Sequence, residues 1–200
     1  ITAILPTPPV APVTSTSFTF SPNNNSSFAF TAKEHSKAVN PAVPNIIALW
    51  LSKSFGILIK KFEELSSQEL YDILQLRSEV FVVEQDCVYQ DIDNKDQKAL
   101  HIFGIKNDKI IAYTRLFQPG DYFKNASIGR VVVSKNERNF GYGVDLMEAS
   151  IKATEENFNT KQITISAQVY LKKFYESHQF KQVGVSYLED GIPHIEMLRN

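Results

Sequence analysis

Arg138-Asn139-Phe140-Gly141-Tyr142-Gly143 is the stretch on which the fold turns. Upstream lies the apolar run Val131-Val132-Val133, which reads as a strand; downstream Val144, Met147, Ile151 and Phe158 recur at helical spacing. A helix start presents unpaired backbone N–H groups and the positive end of the helix dipole, which together hold an anion. Gly141 and Gly143 remove side chains where backbone must come close to a phosphate. Arg138 adds a positive charge with forked donors. A pyrophosphate is the natural guest. There is no Gly-Lys-Ser/Thr ending, which excludes a nucleoside triphosphate loop, and the three-glycine dinucleotide fingerprint is also missing.

Working outward, Ile57 to Phe62 reads as an opening strand. Ser66 and Glu69 form a capping box, and Leu70, Ile73, Leu74, Arg77, Val80 and Phe81 continue at helical spacing, predicting a helix to Val83. Arg77 falls in the apolar stripe, where it either snorkels or pairs with a buried carboxylate such as Glu84 or Asp91. Residues 84–98, with Asp86, Asp91, Asp93 and Asp96, read as a polar loop. Leu100–Ile105 and Lys109–Phe117 are strands joined at Asn107-Asp108, a good hairpin turn. Ile128–Ser134 is a strand whose three valines predict burial on both faces. Gln162–Ala167 is a strand and Val169–Ser177 a short helix. Phe180–Tyr187 and His194–Leu198 close the chain around the turn Asp190-Gly191-Ile192-Pro193. The order is β-α-β-β-β-α-β-α-β-β.

The 200 residues divide into two chemistries. Seven of the nine prolines lie in the first 44 residues, and Glu34 is the only acidic residue before Glu63. Such a composition buries too little apolar surface to offset the entropy of ordering. Residues 1–56 are therefore expected to be disordered or a non-native extension, and residues 57–200 to form one domain. The chain opens on Ile1 and its first methionine is Met147, so the natural start is expected upstream or at another codon. A transit peptide would be rich in arginine, and this tail has none. The stretch from Ile46 to Ile59 is short of the roughly 20 apolar residues a membrane span needs. A net charge of −1 gives no electrostatic reason to expect nucleic acid or an anionic membrane as partner. The single cysteine, Cys87, permits no intramolecular disulfide, so a reducing, cytoplasmic setting is expected. With neither a Cys/His cluster nor a His-Glu-x-x-His helix, no metal is expected.

In its strand–helix setting, Arg138-x-x-Gly141-x-Gly143 resembles the coenzyme A pyrophosphate loop of the GNAT acetyltransferase superfamily. Leu76-Arg77-x-x-Val80-Phe81-Val82-Val83-Glu84-Gln85-x-Cys87-x-Tyr89-Gln90-Asp91-x-Asp93 resembles the N-terminal signature of the ElaA-type proteins within it. Asp190-Gly191-Ile192-Pro193-His194-Ile195 does so too, and the resemblance spans residues 58–199. It implies an α/β (α+β) fold, with a mixed, mostly antiparallel central sheet of six to seven strands flanked by helices and splayed between its fourth and fifth strands. It also implies acetyl-CoA as cosubstrate. The acetyl group would pass to a primary amine of a small molecule or peptide, by direct attack on the thioester. The expected partners are acetyl-CoA and the amine acceptor, with a homodimer as an open state of assembly.

On the same resemblance, the backbones of Val131 and Val133 run along the pantetheine arm. Arg138, Asn139, Gly141, Tyr142, Gly143 and Val144 form the pyrophosphate loop, with Asn139, Tyr142 and Val144 supplying amides. Phe174-Tyr175-Glu176-Ser177-His178-Gln179-Phe180 resembles the superfamily's Phe-Tyr-x-x-x-Gly-Phe segment, whose tyrosine hydroxyl lies near the thioester sulfur; Gln179 replaces the glycine. A thiol has a pKa of about 8.5 and a tyrosine about 10, so Tyr175 is suited to protonate the leaving thiolate. Strand amides stabilise the oxyanion. The amine must lose a proton, and Glu84, His101 and His194 are candidates for the base or for amine binding, with His101 reading better as a core histidine. Asp91 and Asp93 suit a cationic substrate, although an acidic surface loop explains them equally. Cys87 reads as a packing residue. Two other functions share these features: an acyl-CoA-binding regulatory module without turnover, and a transferase for a longer acyl chain. The second resembles the acyl-homoserine-lactone synthases, whose opening helix carries an Arg-x-x-Val-Phe-like pattern.

Overall fold

The computed structural model describes residues 55–200, so the expectation for residues 1–56 lies almost wholly outside the described residues. Phe55 stacks on Tyr142 with ring centroids 4.4 Å apart, and strand β1 (Gly56–Lys61) follows it directly. A side chain at Gly104 would collide with the Phe55 ring, which explains the glycine in the neighbouring strand.

Seven strands form one sheet: β1, β2 (Leu100–Lys106), β3 (Lys109–Phe117), β4 (Ala126–Val133), β5 (Ile163–Gln168), β6 (Lys181–Glu189) and β7 (Ile192–Arg199). Their spatial order is β1-β2-β3-β4-β5-β7-β6. Neighbours are antiparallel except β4 and β5, which run parallel and pair only at Ala126↔Ile163 and Ser127↔Thr164. Beyond those two rungs the strands part. The β2–β3 hairpin turns on Asn107 and Asp108, both at positive φ (50° and 59°), as a tight right-twisted hairpin requires.

Helix α1 (Ser67–Arg77) opens on the expected capping box. Ser66 Oγ accepts from the Glu69 amide at 3.2 Å, and Glu69 accepts from the Ser66 amide at 2.8 Å. The helix continues as a π-helical segment over Ser78–Glu84, so the predicted single helix changes pitch part-way. Helix α2 (Tyr142–Phe158) follows β4, and the short helix α3 (Lys172–Ser177) follows β5.

The two long helices cover opposite faces of the sheet. Ile73, Leu76 and Val80 pack on Phe103, Tyr113 and Val132. Leu146, Met147 and Ala153 of α2 pack with Ile102, Leu116, Ile128 and Ile163. The strand period of two separates Ile102 from Phe103. It does not separate Ile128 from Val132, which stand four apart yet face opposite sides. A β-bulge is the reason: the β3–β4 register slips between Tyr113 and Arg115, and Arg130 takes a left-handed φ of 55°. The expectation that the valine run is buried on both faces is therefore corrected. Val132 is buried, while Val131 and Val133 are half-buried because the sheet opens beside them.

Candidate active site

The parting of β4 from β5 leaves a cavity of about 470 Å³, within the range of small-molecule sites. Its walls come from β4, the start of α2, the segment after α1, α3, and the β6–β7 turn. The bulge aims β4's open edge into it. Ser134 N–H donates to Ile111 O on β3, so by alternation Val133 and Val131 present their backbone groups to the open side. Val133 O confirms that direction by accepting from Arg138 Nε at 3.1 Å.

Gly141 holds a left-handed φ of 85° at the cap of α2, and no side-chain oxygen caps the helix. Val144 and Asp145 both donate to Gly141 O, at 2.9 and 3.2 Å. The amides of Gly141, Tyr142 and Gly143 donate to nothing among the described residues. Of the residues expected to hold the cofactor, Val131, Val133, Arg138 and Gly143 line the cavity, and Asn139, Gly141, Tyr142 and Val144 do not. The Tyr142 ring is buried against Phe55, leaving only its amide for a ligand, and the Val144 amide is already occupied. Asn139 sits exposed in a 3-10 turn over Lys135–Phe140. A Cβ at Gly143 would stand 3.7 Å from Val133 Cγ2, an ordinary contact, so packing alone does not require a glycine there. Open strand edge, unpaired amides and bare glycines fit a pantetheine arm ending in a pyrophosphate.

Arg138 and Glu84, read separately from the sequence, are partners. Both guanidinium Nη atoms donate to the Glu84 carboxylate, at 2.6 and 2.7 Å. These hydrogen bonds hold the Glu84 carboxyl below its usual range, which makes it a weak proton acceptor. Tyr175 lines the cavity at 5% exposure, with its ring against Phe174 and Phe180. Its hydroxyl has no hydrogen-bond partner among the described residues, and burial pushes its pKa above the ordinary tyrosine value. Gln179 takes the left-handed φ of 70° that a glycine would adopt, so the turn that seats Tyr175 is kept. His194 also lines the cavity. Its Nδ1 lies 2.8 Å from Ile192 O, which can only accept. The proton of a neutral ring therefore sits on Nδ1, leaving the Nε2 lone pair available.

The other candidates are structural. His101 is fully buried, donating from Nε2 to Asp96 O and accepting at Nδ1 from Tyr113 OH, both at 2.9 Å. Burial holds its pKa down. Asp91 and Asp93 are not a solvated loop. Asp91 takes Arg77 Nε at 2.8 Å and Arg130 Nε at 2.7 Å, and Asp93 takes Arg115 Nη1 at 2.7 Å. Asp96 joins Arg77 and Arg115. Arg77 is thus a buried ion-pair partner of Asp91, and Glu84 belongs elsewhere. Cys87 lines the cavity and its thiol donates to Asp190 O at 3.4 Å, tying the segment after α1 to the β6–β7 turn. Ser166 and Glu189, which also form the wall near that turn, and Tyr187, which is hydrogen-bonded to Ser166, were not singled out by any sequence pattern. Their only signal is the alternation that puts Ser166 and Gln168, then Tyr187 and Glu189, on common faces.

The profile of the Acetyltransferase (GNAT) domain family matches residues 62–199. This chain belongs to the GNAT acetyltransferase family. It is 44% identical over 138 residues to Protein ElaA of Escherichia coli, covering 68% of this chain and 90% of that protein. It is 43% identical over 140 residues to a UPF0039 protein of Schizosaccharomyces pombe, covering 69% and 92%. Among solved structures, an acyl-CoA N-acyltransferase from Pseudomonas aeruginosa superposes with a TM-score of 0.70 at 40% identity, covering 74% of this chain and all (100%) of that one. The crystal structure of Escherichia coli ElaA gives 0.69 at 40%, covering 73% and 99%. This GNAT protein is an acyltransferase. Among the described residues no helix is long and apolar enough to cross a membrane, and no cluster of His, Cys, Asp or Glu could hold a metal ion.

Proposed function

We propose that the protein transfers an acetyl group from acetyl-CoA to a primary amine of a small molecule or peptide, with Tyr175 as general acid and His194 as general base. The observation that carries this reading is that Tyr175 OH and His194 Nε2, both without a partner among the described residues, belong to side chains lining one cavity beside the open edge of β4. The amine nitrogen attacks the thioester carbonyl; a C–N bond forms and the C–S bond breaks. His194 Nε2 takes the proton released by the nitrogen, and Tyr175 gives its proton to the departing thiolate. The bulged backbone of β4 faces the developing oxyanion. Glu84 orients Arg138 rather than serving as base, since Arg138 depresses its basicity. The single cysteine supports a reducing, cytoplasmic setting.

Mass spectrometry of a pool of amino acids, polyamines and lysine peptides after incubation with acetyl-CoA tests the reading. An acetylated amine is expected. If acetyl-CoA binds and every amine is unchanged, while a longer acyl-CoA is consumed, acetyl is the wrong donor.

A further inference from the structure

The charged side chains that line the cavity are nearly all spoken for. Arg115 pairs with Asp93 and Asp96, Arg130 with Asp91, and Arg138 with Glu84, each within 2.7 Å. Glu189 is different. It is half-buried in the wall and no cation stands within ion-pair distance among the described residues. Its side chain has one bond, from Ser166 Oγ to Oε2 at 2.7 Å. Ser166 has a single proton, and the carboxylate can only accept, so Ser166 in turn accepts from Tyr187 OH at 2.6 Å. This chain of donors, Tyr187 to Ser166 to Glu189, fixes the carboxylate by one oxygen and leaves Oε1 without a hydrogen bond among the described residues. Asp190, next along, also lines the cavity and adds negative charge.

A partly desolvated carboxylate with no countercharge is unfavourable until a cation arrives. We infer that Glu189 is the anchor for a second positive charge on the acceptor, so that the substrate class is a small amine carrying another cationic group, such as a diamine or polyamine. This rests on the acetyl-transfer reading above, because the reacting nitrogen must attack as the neutral amine. That nitrogen cannot satisfy Glu189 as a cation, and its proton has its own acceptor in His194 Nε2. A carboxylate hydrogen-bonded to an ammonium selects for charge, and its loss is worth about tenfold or more in apparent affinity.

The test compares putrescine with aminobutanol, which replaces the second ammonium by a hydroxyl, using acetyl-CoA and the full chain. The parent protein is expected to favour putrescine in kcat/KM by about tenfold. Glu189→Gln is expected to abolish that preference through the KM for putrescine, and Glu189→Asp to keep it. No preference in the parent, or an equal loss on both amines in Glu189→Gln, overturns the assignment and leaves Glu189 as a support for Ser166 and Tyr187. If neither amine is acetylated, the amine pool above decides the transfer reading by itself, and calorimetry of putrescine with acetyl-CoA-loaded protein decides the anchor. Binding that disappears in Glu189→Gln supports it; absence of binding in the parent overturns it.

Discussion

Tyr175, the proposed acid, is buried, and its hydroxyl has no hydrogen-bond partner among the described residues. Burial disfavours the phenolate, so the proton is retained beyond the usual tyrosine pKa of about 10. In the proposed mechanism the protonated form does the work, so kcat should hold through pH 10 and fall only above it; a pH–rate profile checks this. Tyr175→Phe should lower kcat about 100-fold with the acetyl-CoA Kd unchanged, measured by steady-state kinetics beside calorimetry. Tyr175 was legible because its neighbours Phe174 and Phe180 repeat a local pattern. The place of Glu84 in the cavity wall matches the sequence reading, whereas its pairing with Arg138 was not legible, because the two lie 54 positions apart, where no local spacing reaches. His194 could be named from its turn, whereas the tautomer that frees Nε2 depends on the carbonyl of Ile192 and so on the fold of that turn.

At the scale of elements, the loop into α2 separates what folding needs from what binding needs. Gly141 requires its left-handed φ of 85°, and Gly141→Ala should destabilise the protein by about 1 kcal/mol. Gly143 lies inside the helix with room for a methyl group. Alanine is the better helix former by about 1 kcal/mol. Gly143→Ala should therefore leave the melting temperature equal or higher while weakening acetyl-CoA binding, as thermal unfolding and calorimetry on one preparation would reveal. An equal affinity would mean that phosphate does not approach this backbone. The strand–loop–helix order was readable from apolar spacing and two glycines. The bulge at Arg130 was not, because it replaces a permissive residue with a charged one, and the valine run beside it imitates a fully buried strand. Its strain persists where Arg130 is clamped by Asp91 on one side and Thr114 holds Gly129 O at 2.9 Å on the other.

Across the whole molecule, three arginines from α1, β3 and β4 meet three aspartates from one loop. The place of Arg77 in the apolar stripe pointed to a buried carboxylate partner such as Asp91, whereas nothing marked Arg115 and Arg130, and the aspartates alone look like a solvated acidic stretch. Burial raises the Asp93 pKa, but the hydrogen bonds and charge of Arg115 and the charge of Arg130 outweigh it and hold it at about 2. A carboxyl depressed from 3.8 stabilises the fold above that pH and loses its contribution as pH falls towards 2. Urea unfolding across pH 2–5 should show that loss. Arg77→Ala leaves Asp91 and Asp96 short of a buried partner and should cost about 3–5 kcal/mol at neutral pH, by the same measurement. The order of elements over the described residues was readable because each strand and helix carries its own period. What joins them was not. The two rungs between β4 and β5 have a last consequence, for time rather than shape. Amides that point into the splay meet no carbonyl among the described residues, so Val131 and Val133 should trade their hydrogens for deuterium quickly in the unliganded protein. Val132, facing the other way, should trade slowly. With acyl-CoA lying along the gap, the fast pair should slow to match, and the rate at which it does so would report how long each cosubstrate molecule stays.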